Sequence, residues 1–579
     1  MPNSPSVKFT IENNNIEKTT PLVGISCLLA RTKKGPYNDP STVIKSVSQF
    51  RDVFGSEIVP DGSPSNIEKA LTGGSKLRII RVPGTGYFKG VLLQTSTDSG
   101  PDPESQATPK EVISLAHGGN TVTIGFFTKI GNETVDGAKT FTVHFSKQSN
   151  TIFYNITGTG KDIILESNPV ITYKNKDTVN RTSVDYLAFG NFLKNSDYLE
   201  PVVLSSNLVD KTLNTVLKWL ADSVDGSDTE LTVKIAAKPL TSLPLDCISQ
   251  IGSSGKAPAK TDWIASAEYL KDYTDVYQVG CSHIEQHLET PQDQLDVHKV
   301  LKTICDETQE YTYYIEVPKY KTHFTQGTEV RTKKEIIEWI NTCSGAIGNS
   351  MWVAYFAGGI KYYNDDGNLV DSDVLGTICG LGDTASSNYG PWMSFAGLNR
   401  GVIYDGQGSS SPNYGSPSRY NDINELANNH ANMIIVRDTN HSGKRTVLWN
   451  CFTSQVKQDS FKFLSVVRTV LYLKKFLRPI MESYLEEPNI WHTWKSMYLE
   501  AKSELDYLVE REAISEYTWL GDQDVSNYKD LTINKESDVR QGRYKVILKF
   551  KEVVPLQEIS MVLSIDKTSS TISAEVTTD

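Results

Sequence analysis

Hydrophobic residues fall into three kinds of run along this chain: compact apolar blocks, stripes at helical spacing, and short alternations of period two. Residues 22–29 and 77–82 are compact blocks, whereas Val47, Phe50, Val53 and Phe54 recur at helical spacing ahead of Gly55, and 66–71 reads as a second short helix. Strand and helix therefore alternate, which predicts an α/β layer. Turn chemistry at 35–40 separates the first strand from the first helix. The same alternation returns from 187 to about 480, with strands at 277–280, 311–317 and 351–356 and helices at 294–308 and 333–343 between them. That order predicts a partly parallel sheet. The glycine- and serine-rich stretch 406–418 reads as an exposed loop.

Period-two runs dominate elsewhere. Residues 121–127, 140–145 and 151–156 alternate between Gly, Asn and Asp turns behind a polar, proline-bearing linker at 95–110, which predicts an antiparallel β domain inserted at 98–185. Near the end, Trp491, Trp494, Tyr498, Ala501, Leu505 and Leu508 line one face of a helix over 490–512. Tyr544, Val546, Leu548 and Phe550 then alternate with Lys545 and Lys549 as a strand, and 555–565 leads into a last one. Both chain ends carry short one-faced strands, Val7, Phe9 and Ile11 at one end and Ile572, Ala574 and Val576 at the other, each behind a polar stretch. A lone strand leaves its backbone groups unpaired, so each end needs a sheet, in its own chain or in another copy. The expected fold is α/β and α+β multidomain: an arm at 1–20, a mixed α/β core at 21–97 and 186–485, the inserted antiparallel β domain at 98–185, a small C-terminal α+β domain at 486–565 and a second arm at 566–579.

Composition narrows the function. No apolar run approaches the ~20 residues that cross a bilayer, and residues 1–15 lack a basic start followed by an apolar stretch, so the expectation is assembly in the cytoplasm without membrane insertion. A net charge of -11 argues against nucleic acid as a direct partner. The seven cysteines are scattered without a CxxC and read as small buried apolar residues. Residues 252–257 imitate a phosphate loop without its glycine spacing or its magnesium-binding hydroxyl. His283 and His287 have the spacing of zinc ligands, but Glu285 is adjacent to neither, so they read as surface helix histidines. No GxSxG elbow or GxGxxG loop occurs. No catalytic residue, metal or cofactor is expected.

Three blocks resemble the tail sheath proteins of contractile bacteriophages. Residues 24–55 (GISCLLARTKKGPYNDPSTVIKSVSQFRDVFG) are similar to the family's opening strand, Gly-Pro turn and helix ending in Phe-Gly. Residues 429–489 hold NMIIVRDTNHSGKRTVLWNCFTS, then FKFLSVVRTVLYLKKFLRPIMESYLEEPN, resembling the sheath pattern of an Asn-bearing apolar strand, an Arg-Thr pair, an Arg-bearing helix and a closing Glu-Pro-Asn. Residues 491–565 resemble the last domain, whereas 384–400 depart from the proline-rich segment of the family. The resemblance implies a structural subunit, not an enzyme, that forms homo-oligomeric hexameric rings stacked helically around a tail tube protein. Baseplate and tail terminator proteins would be its further partners, and the virion tail its place. It implies that arms exchange between subunits and complete a small sheet built on Tyr544, Val546 and Leu548, with the β insertion outward and the C-terminal part toward the tube. Lys474, Lys475 and Arg478 are then candidates to face the tube, although a basic helix face is most often simply solvated. Contraction would drive the tube through a host envelope during genome delivery. A headless injection device or phage-tail bacteriocin uses the same architecture, and a soluble enzyme or a surface-displayed binding protein carrying the β domain are the readings from other classes.

Overall fold

The 22–29 block becomes the strand Ile25–Ala30, and its two faces explain its place. Ile25, Cys27 and Leu29 enter one hydrophobic cluster while Leu28 and Ala30 enter another, so the strand is buried on both sides and its sequence is apolar except at Ser26. In the computed structural model, which describes residues 24–557, 560–565 and 572–577 apart from short internal stretches (the longest being 94–108, 129–140 and 321–328), this strand lies within an eight-stranded sheet. The strand order is Val43–Ile44, Lys76–Arg81, Ile25–Ala30, Gln278–Cys281, Thr312–Glu316, Val353–Ala357, Ala431–Thr439, Gly443–Leu448. Pairings are parallel from Lys76–Arg81 through Ala431–Thr439, and each margin carries one antiparallel strand.

Helices cover both faces. Pro291–Thr308, Lys333–Ile347 and Tyr420–Asn428 bury their stripes on one side, and Val47–Phe54, Asn66–Thr72 and Leu375–Tyr389 on the other. Two helices on the second side approach to backbone contact, which explains glycines inside Leu375–Tyr389. A Cβ on Gly376 would stand 2.0 Å from the carbonyl oxygen of Asn66, and one on Gly380 would stand 2.9 Å from the Cα of Gly73.

The antiparallel unit is larger than the 98–185 segment that composition marks. Its eleven strands run from Val91–Leu93 to Leu245–Gln250, and these two strands pair with each other, so the chain enters and leaves side by side. Leu199–Ser206 and Thr232–Ile235 belong to it, and the helices Tyr186–Asn195 and Leu213–Gly226 close its core through Phe189, Phe192, Val216 and Leu220. The helices made this part look like resumed α/β sequence. The long-range pairing overrides that appearance.

At the C-terminal end, Trp491–Glu510 buries Trp494, Met497, Ala501, Leu505 and Leu508, as its stripe predicts. Ala501, Leu505 and Leu508 join the main core cluster together with Ile514 and Trp519 of the next strand. This unit is therefore continuous with the core through packing. All seven cysteines are buried and free.

Candidate functional site

The C-terminal unit holds two small antiparallel sheets, each of only two strands. Ile514–Leu520 pairs with Ile547–Glu552, and Ser560–Ile565 pairs with Ile572–Thr577 in a register that sets Ile565 opposite Ile572. Among the described residues no third strand joins either pair. A two-stranded ribbon is marginal alone, and an open edge presents a row of unpaired backbone donors and acceptors. The first ribbon is held rigidly nonetheless. Asp522 accepts backbone N–H groups of Thr532, Ile533 and Asn534 at 2.8–2.9 Å; burial opposes its charge, but these donors outweigh that and hold it down at about 2. Asn534 carries the brace onward, donating to the Lys545 carbonyl at 3.1 Å and accepting its N–H at 2.6 Å.

The expected exchange residues occupy different places. Tyr544 and Val546 precede the strand; Tyr544 stacks on Trp494 with ring centroids 4.7 Å apart, and Val546 and Leu548 pack against the main core. The apolar face read from the alternation thus serves the chain's own core. Just after the strand ends, Val553, Val554 and Leu556 stand 43%, 48% and 72% exposed. Ile572, Ala574 and Val576 lie in the terminal strand, which folds back on 560–565. Val7, Phe9 and Ile11 lie outside the described residues.

Polar pins tie the core together. Asp383 accepts from Ser26 Oγ at 2.5 Å, Ser75 Oγ at 2.6 Å and Gln278 Nε2 at 2.8 Å; burial pushes its carboxyl up to about 7 against the pull of those donors and of Arg468. Arg468, buried, donates to the Gly382 carbonyl at 2.8 Å and to Ser386 Oγ, and lies 4.9 Å from the Phe395 ring. Two of the sequence blocks thus meet on one helix, Ser26 from the first and Arg468 from the second. Asn432 and Asn450 repeat the device inside the second block, Asn432 binding Phe452 and Asn450 binding Met433 and Ala431. Asn489 of the closing Glu-Pro-Asn binds the carbonyls of Val539 and Arg543 and accepts from Trp494 Nε1 at 2.7 Å.

His283 and His287 are buried, which corrects the surface assignment. His283 Nδ1 lies 2.5 Å from Asp373 Oδ2, and Lys319 Nζ stands 3.1 Å from Asp373 Oδ1. Burial disfavours the imidazolium, but Asp373 and Glu57 outweigh it and raise His283 to about 10; burial lowers His287 to about 3, helped by the charge on His283. His283, Glu285 and Asp373 bring ligand-type atoms within 4.8 Å of one another. The donor set suits a metal poorly, because the Lys319 ammonium already provides a positive charge against Asp373. Glu316 caps the helix Leu375–Tyr389, accepting from Val374 N at 2.6 Å. Sequence reasoning missed this cluster, since its members are polar residues scattered from 57 to 373.

The basic helix face also turns inward. Lys474 Nζ is 2.8 Å from Glu310 Oε1, Lys475 Nζ is 3.4 Å from Oε2, and Arg478 Nη2 pairs with Oε1. Lys475 is buried and cannot meet a tube surface, whereas the side chains of Lys474 and Arg478 keep 34% and 30% exposure. Residues 251–256, which include most of the phosphate-loop imitation, lie outside the described residues.

The architecture is that of a mixed α/β multidomain protein with an antiparallel insertion and open-edged C-terminal ribbons. No sequence-family model and no curated protein matches the chain. Among solved structures it is similar to the sheath tail protein of Listeria innocua, with 9% identity, a TM-score of 0.47 and coverage of 92% of this chain and 95% of that one. It is also similar to the sheath tail protein of Desulfitobacterium hafniense (11% identity, TM-score 0.44, coverage of 95% and 100%) and to the anti-feeding prophage helical sheath in its contracted state (13%, 0.40, 56% and 78%).

Proposed function

We propose that this chain is the structural subunit of a contractile tail sheath, polymerising as stacked hexameric rings around a tail tube and shortening to drive the tube through an envelope. The observation that carries the reading is the C-terminal end: two ribbons that no third strand joins among the described residues, near the exposed Val553, Val554 and Leu556, attached to a core pinned by buried charges. The three sequence blocks support it, and their Ser26 and Arg468 converge on the helix Leu375–Tyr389.

On this reading the mechanism is mechanical. Subunits move as rigid bodies from an extended lattice into a shorter one with more buried contact, and no fuel is consumed at that moment. The pins at Asp383, His283 and Glu310 suit such a part, since buried ion pairs and hydrogen bonds resist local rearrangement. The links between subunits must bend without detaching. Strand exchange meets that demand, because main-chain hydrogen bonds keep register while polar linkers change path. The terminal strand closes on 560–565 within one chain and exchanges with the equivalent strand of a neighbour in the assembly; swapping an identical element costs little. Its six-residue connection, 566–571, spans about 20 Å at full extension. The N-terminal strand around Val7, Phe9 and Ile11 adds to a second edge, and Lys474 and Arg478 remain the tube-facing pair.

Sedimentation velocity of the purified chain tests the reading. Particles of hexamer size and larger are expected as concentration rises, and a monomer throughout would overturn it.

A further inference from the structure

Between the strand Ile164–Lys176 and the helix Tyr186–Asn195 of the inserted β unit lies a cavity of about 470 Å³, within the range of small-ligand sites. Its floor is fixed. The buried rings of Tyr154 and Phe192 pack with centroids 4.5 Å apart, and Glu166 is held from both sides, accepting from the Tyr154 hydroxyl and, at 2.9 Å, from Ser196 Oγ. Its rim offers hydrogen bonds that the fold leaves unused. Asp185 spends Oδ1 on capping the helix, at 3.1 Å to Leu187 N and 3.3 Å to Ala188 N, and its Oδ2 has no partner among the described residues. Asn191 and Asn195 lie one turn apart on that helix, both exposed and without a hydrogen-bond partner among the described residues. Asn168 faces them from the strand and reaches the Tyr154 hydroxyl only at 3.5 Å.

We propose that this cavity binds a neutral saccharide. Three amides each supply donors and acceptors, and Asp185 Oδ2 supplies one more acceptor, a set that matches hydroxyls able to give and receive at each carbon. An anionic ligand is disfavoured, because the described lining carries Asp185 and Glu166 but no Lys or Arg. An apolar ligand is disfavoured as well, since it would strand the amides. Leu187, 64% exposed in the lining, offers apolar contact to the C–H face of a sugar ring. The proposal stands apart from the sheath reading, because a single chain carries the whole site.

Isothermal titration of the 579-residue chain with maltotriose, cellotriose and triacetylchitotriose tests it. At least one is expected to bind with a dissociation constant of about 1 mM or tighter. The double variant Asn191→Ala, Asn195→Ala is expected to weaken that binding on the order of tenfold with an unchanged melting temperature, since alanine favours a helix. Lys194→Ala, on the same helix, should leave binding intact. The proposal is overturned if none binds at about 10 mM, if the double variant binds normally, or if an acetylated trialanine amide binds in place of the sugars, which would make the cavity a peptide groove.

Discussion

Deleting residues 569–579 is expected to abolish assembly while leaving a folded chain. The deletion removes the whole strand Ile572–Thr577, the partner of Ser560–Ile565, so both the hairpin and its exchanged counterpart disappear. Among the described residues, the three buried core clusters draw on residues from Ile25 to Trp519, all outside the deleted segment. The melting temperature of the core is therefore expected to move by no more than about 2 °C, the scale of a change of about 1 kcal/mol in a domain of roughly 250 residues. Assembly should fall to background, because on the proposed reading the exchanged strand is the link between subunits. Deleting residues 1–15 is expected to have the same two-part outcome, since it removes Val7, Phe9 and Ile11. Normal tubes from either truncation, seen by pelleting and electron microscopy, would contradict the exchange mechanism.

The second large effect concerns stability. Glu310→Gln leaves Lys474, Lys475 and Arg478 without their shared counter-charge, and the buried Lys475 without the carboxylate it is hydrogen-bonded to. Removing one partner of a buried pair costs about 3–5 kcal/mol, far more than an exposed pair would. The pH dependence separates this cause from a packing defect. Burial lowers Lys475 to about 8 despite the pull of Glu310, below the unfolded value of about 10.4, so the folded state binds fewer protons and this group's cost is relieved as pH rises through that window. Glu310 changes stability in the same direction but in a lower window: burial pushes it up, but Arg478, Lys474 and Lys475 outweigh that and lower it, so its stabilisation is present above the ordinary carboxylate range and is lost as pH falls. In Glu310→Gln, Lys475 loses the charge that favoured its ammonium form, and the neutral amine appears at lower pH. The deficit in denaturation midpoint is thus expected to be large at pH 7 and smaller at pH 9, with partial recovery on adding Lys475→Met. A deficit that is small, or equal at both pH values, would contradict the clamp. Charge reversal at Lys475 consequently reports folding, so tube contact is tested with Lys474 and Arg478.

Much of the central sheet is legible in the sequence. Tyr311 to Val317 and Met351 to Phe356 read as apolar strands because a parallel strand covered on both faces has no polar side to display. The stripe Trp494, Ala501, Leu505 and Leu508 is equally plain, since one helix face meets one core. The limits of the β unit are not legible. Leu199–Ser206 and Leu245–Gln250 are separated by helices and look like parallel strands, and only pairing with Asn120–Thr128 and Phe141–Gln148 assigns them to the antiparallel sheet. The buried charges were misread for a related reason. His283 acquires its meaning from Asp373 and Lys319, just as Lys475 acquires its meaning from Glu310, none of which is near in sequence. A signal was present for Lys475 in the apolar residues Leu471, Tyr472 and Leu473 of the same helix, which bury that face. The alternation at Tyr544, Val546 and Leu548 marks a face that meets the core, although the strand itself begins only at Ile547, and periodicity does not say whose core the face meets.

Electron microscopy of the purified 579-residue chain, concentrated until it assembles, tests the central claim most directly. The sheath account predicts long hollow cylinders whose end views show sixfold rings. Dispersed single particles at every concentration, or closed oligomers that never extend into cylinders, would contradict it.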